Sequence, residues 1–201
     1  MIVQALNVGF RKVPVWALYI ALPVPGIVTF YLGLTGGLGA EPITTLEQEL
    51  GGFTLKLLIL GLSITPVLRF TGLNLLRFRR AIGVVAFTYV TAHFLTWLIL
   101  DLHNVNEILV DIKKRPYVTV GFLSFLLLVP LVLTSNNWSV RRLGSFWPKL
   151  HSLVYVAAIL GGLHYIMLTK GFQLEPLIYM TVIISFIAAR TPKWYRIWLR
   201  K

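Results

Sequence analysis

The residues of this sequence best suited to chemistry are its four histidines, His93, His103, His151 and His164. His93 interrupts the apolar stretch YVTAHFLTWLIL, and His164 interrupts ILGGLHYI. An imidazole in such a run is a metal ligand, a proton carrier or a hydrogen-bonded packing residue. Depth helps to separate these. His93 lies 12 residues past Ala81, where its apolar run begins, and His164 lies 15 past Lys149. At about 1.5 Å per helical residue, both sit roughly 18–22 Å from the same membrane face. Two imidazoles at one level on parallel helices can clamp one metal from opposite sides. Haem iron suits such a clamp, because its axial ligands approach from opposite faces of a ring that a helix bundle can hold. The same pair could instead relay protons without any cofactor, as in a small transporter, or simply pack.

His151 opens the fifth apolar run, in FWPKLHSLVYVAA, 13 residues before His164. That is about 20 Å along a helix, which places it at a separate inner site. The third-run positions that would face it, 13 or 14 residues before His93, are Arg80 and Arg79. An always-charged guanidinium does not replace histidine on iron. The inner site therefore reads as a second haem with an unusual ligand, a flavin, a quinone or nothing. Arg77, Arg79 and Arg80, with Arg141 and Arg142, suit propionates or a phosphate there. His103, in LDLHNVNE, reads as a solvated loop residue. Gly161 and Gly162 let a macrocycle or a neighbouring helix come close. Thr88, Tyr89, Trp97 and Tyr165 read as ring contacts or, more simply, as packing.

The elements that must carry these residues are membrane helices. Of 201 residues, 57% are hydrophobic and 13% charged, and the mean hydropathy is +0.78. A soluble domain is nearer 45–50% apolar and about 25% charged. Six runs, roughly 13–33, 52–69, 81–101, 116–134, 149–169 and 176–191, are each long enough to cross a hydrocarbon core of about 30 Å. The expected fold is an all-α integral membrane protein, one domain over 1–201, built as a six-helix transmembrane bundle. Pro116, Pro148 and Pro176 suit helix starts, and Pro23 and Pro25 should kink the first run.

Charge sets the expected orientation. With both termini inside, 14 of the 19 basic residues fall on the inner side and all seven carboxylates on the outer. The positive-inside rule then gives N-in/C-in. The net charge of +12 is thus a topology signal whose partner is membrane lipid, with no nucleic acid implied. The chain has no cysteine, which excludes disulfides, thiolate haem, cysteine-ligated iron–sulfur clusters and covalent CxxCH haem. It carries no dinucleotide or phosphate-loop fingerprint. No cleavable signal peptide is expected. The sequence ends about ten residues past the sixth run, at WYRIWLRK, so no FAD/NAD module of its own is expected either.

In order and spacing, several stretches together resemble the ferric-reductase-like transmembrane superfamily. They are GGLGAEP (36–42), GGFTLKLLILGLSITP (51–66), the RR of RFRRAIG (77–83), AHF (92–94), KKRPYVTVG (113–121), LTSNN (133–137), RRLGSFWPKLHSLVYVAAIL (141–160) and LHYI (163–166). Within that superfamily the chain resembles the haem-binding membrane subunits of methionine sulfoxide reductase systems. The resemblance implies a multi-pass protein of the bacterial inner (cytoplasmic) membrane. It implies b-type haem held by His93 and His164, with His151 tied to a second haem or an alternative ligation. FMN is associated with the family as well. The implied partner is an MsrP-like periplasmic molybdopterin enzyme, fed with electrons from the quinone pool or an inner-side reductase. The chain would then be an electron-transfer subunit, with substrate chemistry on the partner. Its outer loops, acidic over 41–49 and basic at KKR 113–115, are the candidate docking surface.

Overall fold

The computed structural model describes residues 2–101, 114–169 and 171–190. His103, Lys113 and the basic tail from Lys193 onward lie outside the described residues. Among those described, every regular element is a helix. The order is α1 (Ile2–Lys12), α2 (Trp16–Ala21), α3 (Val24–Leu34), α4 (Pro42–Thr71), α5 (Arg79–Thr96), α6 (Pro116–Leu133), α7 (Asn137–Leu143), α8 (Phe146–His151), α9 (Leu153–Leu168) and α10 (Leu174–Arg190). A 3₁₀ turn, Leu76–Phe78, leads into α5, and a π turn, Trp97–Asp101, follows it. Among the described residues, five stretches are long and apolar enough to cross a membrane: Trp16–Leu34, Pro42–Thr71, Leu76–Leu100, Pro116–Leu133 and Phe146–Leu168. The expected sixth run forms α10, which has 17 residues.

A short amphipathic helix, α1, precedes the first run and departs from the sequence reading. The first run divides into α2 and α3 at the prolines expected to kink it. Pro23 and Pro25 lack N–H donors, so the helical ladder opens there. The Tyr89 hydroxyl of α5 enters the gap. It accepts from Gly26 N–H (2.9 Å) and donates to the Leu22 carbonyl (2.8 Å). A Cβ at position 26 would collide with the Tyr89 ring, so only glycine admits this insertion.

Helix α4 starts ten residues earlier than its apolar run, because TTLEQE is polar yet helix-compatible. It ends at Gly72, whose φ of 77° is the left-handed stop that glycine adopts without strain. Pro66 inside α4 leaves the Leu62 carbonyl without its helical donor. Arg190 of α10 supplies one: Nε and Nη2 reach Leu62 O at 3.1 and 2.9 Å, and Nη2 also reaches Gly61 O. Tyr155 of α9 receives the remaining arm through its hydroxyl.

The bundle is built from two antiparallel helix pairs, α4 with α5 and α6 with α9. The α4/α5 seam buries Leu46, Leu50, Leu57 and Ile64 against Ile82, Val85, Ala86 and Tyr89. The α6/α9 seam is fastened by Ser124 Oγ on the Ala157 carbonyl (2.8 Å). Small residues make that approach possible, because lipid tails offer no hydrophobic drive between helices and close packing must supply it. Helix α10 closes the bundle by setting Ile183 against Leu55, Leu62 and Ala158. The outward sides stay apolar, with Ile27, Phe30, Leu123, Leu126 and Ile184 exposed, as a bilayer requires.

Candidate functional site

Each helix pair presents one histidine in the same manner. His93, near the end of α5, sets its Nδ1 2.9 Å from the carbonyl of Glu47 on α4. Its ring lies on Gly51, one turn further along α4, where a Cβ would come within 3.3 Å of Nδ1 and Cε1. His164, near the end of α9, sets its Nδ1 2.7 Å from the carbonyl of Tyr117 on α6. Its ring lies on Gly121, where a Cβ would come within 2.7 Å of Nδ1. In both cases the glycine follows the accepting carbonyl by four residues. That carbonyl's usual helical donor is the glycine's own N–H, and its second lone pair is free for an imidazole. The missing Cβ opens the path to it.

These contacts fix the tautomers. A carbonyl only accepts, so Nδ1 carries the hydrogen on both rings and Nε2 is left with a bare lone pair. The ring centres are 6.2 Å apart and the planes cross at 78°. A metal–imidazole bond is about 2.0–2.1 Å and the ring centre lies about 1.1 Å behind its nitrogen, so two rings on one ion stand about 6.3 Å apart. The observed separation matches that value, which also lies within the usual range of about 4.5–7 Å for packed rings. Among the described residues no group of three His, Cys, Asp or Glu side chains is placed to hold an ion. A bare zinc ion takes roughly three or four protein ligands. Haem iron needs only two axial donors, since the porphyrin supplies the rest. The donor set, the tautomers and the two Cβ-free cradles therefore fit haem. They do not fit a direct proton relay, which needs an N–H on one ring facing a lone pair on the other.

His151 is arranged differently. Its ring stacks on Trp147 at 3.8 Å, and its Nε2 is 3.0 Å from the Thr134 hydroxyl. Thr134 gives its own hydrogen to the Pro130 carbonyl (2.6 Å), so His151 Nε2 must be the donor. Trp147 Nε1 binds the Thr134 carbonyl at 3.0 Å, which completes a junction between α6 and α8. Three of the five arginines expected near an inner cofactor hold other partners. Arg77 donates to the carbonyls of Phe10 and Arg11, Arg79 to the Thr65 hydroxyl, and Arg80 to Asn137 Oδ1. The structure thus brings His93 and His164 together and leaves His151 and the arginines in separate helix junctions.

Other expected neighbours also have structural positions. Tyr89 splints the first run, and Thr88 bonds the Val84 carbonyl of its own helix. Tyr165 packs edge-on against Tyr179 at 5.9 Å. Gly162 faces Met180 and Ile183, which makes it a contact for α10. Residues that the sequence reading missed are Gly51 and Gly121, with the backbone of Glu47 and Tyr117. Their only signal is a glycine in an apolar helix, and helical phase alone does not say which neighbour it faces. A further omission is Lys56, exposed within α4 with its ammonium 5.3 Å from the Phe53 ring centre. A charge inside an apolar run is a legible signal of functional interest.

Comparison with known proteins agrees with this geometry. Residues 50–162 match the protein family described as "Ferric reductase like transmembrane component". The protein-methionine-sulfoxide reductase heme-binding subunit MsrQ of Brucella ovis is 47% identical over 181 residues, covering 90% of this chain and 82% of that protein. MsrQ of Brucella anthropi is 48% identical over 177 residues, covering 88% and 80% respectively. No solved structure matches the chain. A multi-pass helical membrane protein at this level of identity is no distant cousin: the chain belongs to the ferric reductase-like transmembrane family and, within it, to the MsrQ heme-binding subunits.

Proposed function

We propose that this chain is a b-type haem electron-transfer subunit, with His93 and His164 as the axial ligands. The observation that carries the reading is the mirrored pair of histidines, each tied by Nδ1 to a backbone carbonyl, at the separation of a shared ion. Bound haem would supply a one-electron couple. His93 and His164 would hold it through their Nε2 atoms, so that the chain would carry electrons and leave substrate binding elsewhere. The Nδ1–H···O=C bonds hold ring orientation and raise the basicity of Nε2. Substrate chemistry then falls to a partner, a periplasmic molybdopterin methionine sulfoxide reductase. Electrons would come from the quinone pool or an inner-side reductase.

The finer expectations belong to the same proposal: six spans, both termini inside, and residence in a bacterial inner membrane. The positive-inside count supports that orientation. FMN and a second haem at His151 stand as alternatives for the inner site. Either would have to work around the Thr134 and Trp147 contacts of His151.

The test is a spectrum of the purified protein in detergent, oxidised and dithionite-reduced. A Soret band with sharp reduced α and β bands is expected. The crossed ring planes also predict a low-spin ferric paramagnetic signal of strongly anisotropic type. A preparation that stays colourless after haem supplementation would overturn the proposal.

A further inference from the structure

At the end of the bundle away from His93, where α4 turns into α5, a cavity of about 180 Å³ lies beneath α1. It is lined by Asn7, Arg11, Asn74 and Arg77. The lining thus holds two arginines and two asparagines, with no acidic residue among the described residues. Asn7 is held at both ends, Nδ2 on the Gly72 carbonyl (3.0 Å) and Oδ1 on Asn74 N–H (2.8 Å). Asn74 Oδ1 caps Leu76 N–H at 3.2 Å, at the start of the 3₁₀ turn. Arg77 Nη1 closes the end of α1 through the Arg11 carbonyl (2.6 Å). The Arg11 side chain makes no hydrogen bond or ion pair among the described residues. The walls are therefore fixed, while one of the two cations has no partner.

Two neighbouring cations repel unless an anion sits between them. Oxygen-rich phosphate is the anion whose geometry matches paired guanidiniums. Its source follows from α1. The side bearing Val3, Asn7 and Phe10 faces the bundle, while Ile2 (78% exposed) and Leu6 share an exposed apolar flank beside it. Such a helix lies in a bilayer surface with its apolar residues among the acyl chains. The cavity beneath it is then at headgroup depth, where phosphodiesters are abundant.

We propose that this cavity binds the phosphodiester of an anionic membrane phospholipid, with Arg11 and Arg77 on the phosphate oxygens. The bound lipid fastens α1 to both the bundle and the bilayer. This is a discrete site, distinct from the diffuse attraction of inner-face basic residues for headgroups, and it does not rest on the haem reading.

The test is native mass spectrometry of the purified full chain in mild detergent, titrated with phosphatidylglycerol, phosphatidylcholine or inorganic phosphate. The expected result is retained phosphatidylglycerol, with weaker phosphatidylcholine and no displacement by inorganic phosphate. Arg11→Gln, which removes no bond holding α1, should weaken phosphatidylglycerol retention about fivefold. Arg77→Gln should weaken it further and loosen α1. Arg141→Gln, an exposed basic control on α7, should leave it unchanged. Three results would overturn the site: equal retention by Arg11→Gln and wild type, an equal loss in Arg141→Gln, or displacement by inorganic phosphate.

Discussion

The His93–His164 pair and His151 differ in which ring nitrogen the fold has occupied. His93 and His164 give Nδ1–H to backbone carbonyls and keep Nε2 bare. His151 gives Nε2–H to Thr134 and lies flat on Trp147. All three stand in apolar helices, and all three looked like ligands in the sequence. Three buried or half-buried histidines thus differ in the nitrogen left over, Nε2 on His93 and His164 and Nδ1 on His151.

Substitutions can break this contrast at several strengths. The largest effect is expected from His93→Ala or His164→Ala, each of which removes an axial donor and should abolish the main haem absorbance. Gly121→Ala comes next. Its Cβ would stand 2.7 Å from His164 Nδ1, so either ring or helix must move. An overpacked position of this kind costs about 1–3 kcal/mol. Thermal melting should fall accordingly, and haem should be retained only in part. Gly51→Ala is milder, because its Cβ would meet His93 at 3.3 Å. It should keep haem but shift the reduction potential and the paramagnetic signal, as a small ring rotation would. The smallest effect on the spectrum is expected from Thr134→Val. It removes the His151 acceptor and should cost about 0.5–1.5 kcal/mol in stability while leaving the haem bands in place. A Thr134→Val variant that loses the bands would erase the distinction between the two regions.

How much of this was legible beforehand follows the same division. The apolar runs located the membrane helices, because hydrocarbon thickness sets their length. Counting residues put His93 and His164 at one level, because helical rise is constant. The sequence did not show that Gly51 and Gly121 face those rings, since that depends on which helices pair. Nor did it show that Thr134 captures His151, because the two meet only where the α7 connection brings α8 back against the end of α6. Helix α1 escaped notice because IVQALNVGFRK is too short and too polar for a spanning run. Nor did the sequence show that Arg77 closes the end of α1 on the Phe10 and Arg11 carbonyls, or that Arg79 and Arg80 meet Thr65 and Asn137, because those partners come from other helices.

The Tyr89 splint has a consequence for assembly. The first crossing carries an open pair of backbone groups, Leu22 C=O and Gly26 N–H, and the hydroxyl that closes it arrives from a segment synthesised some sixty residues later. Until that segment docks, hydrocarbon offers those groups nothing. The leading stretch must therefore wait near the aqueous boundary, or beside the insertion machinery, and settle to its final depth only as the later partner enters.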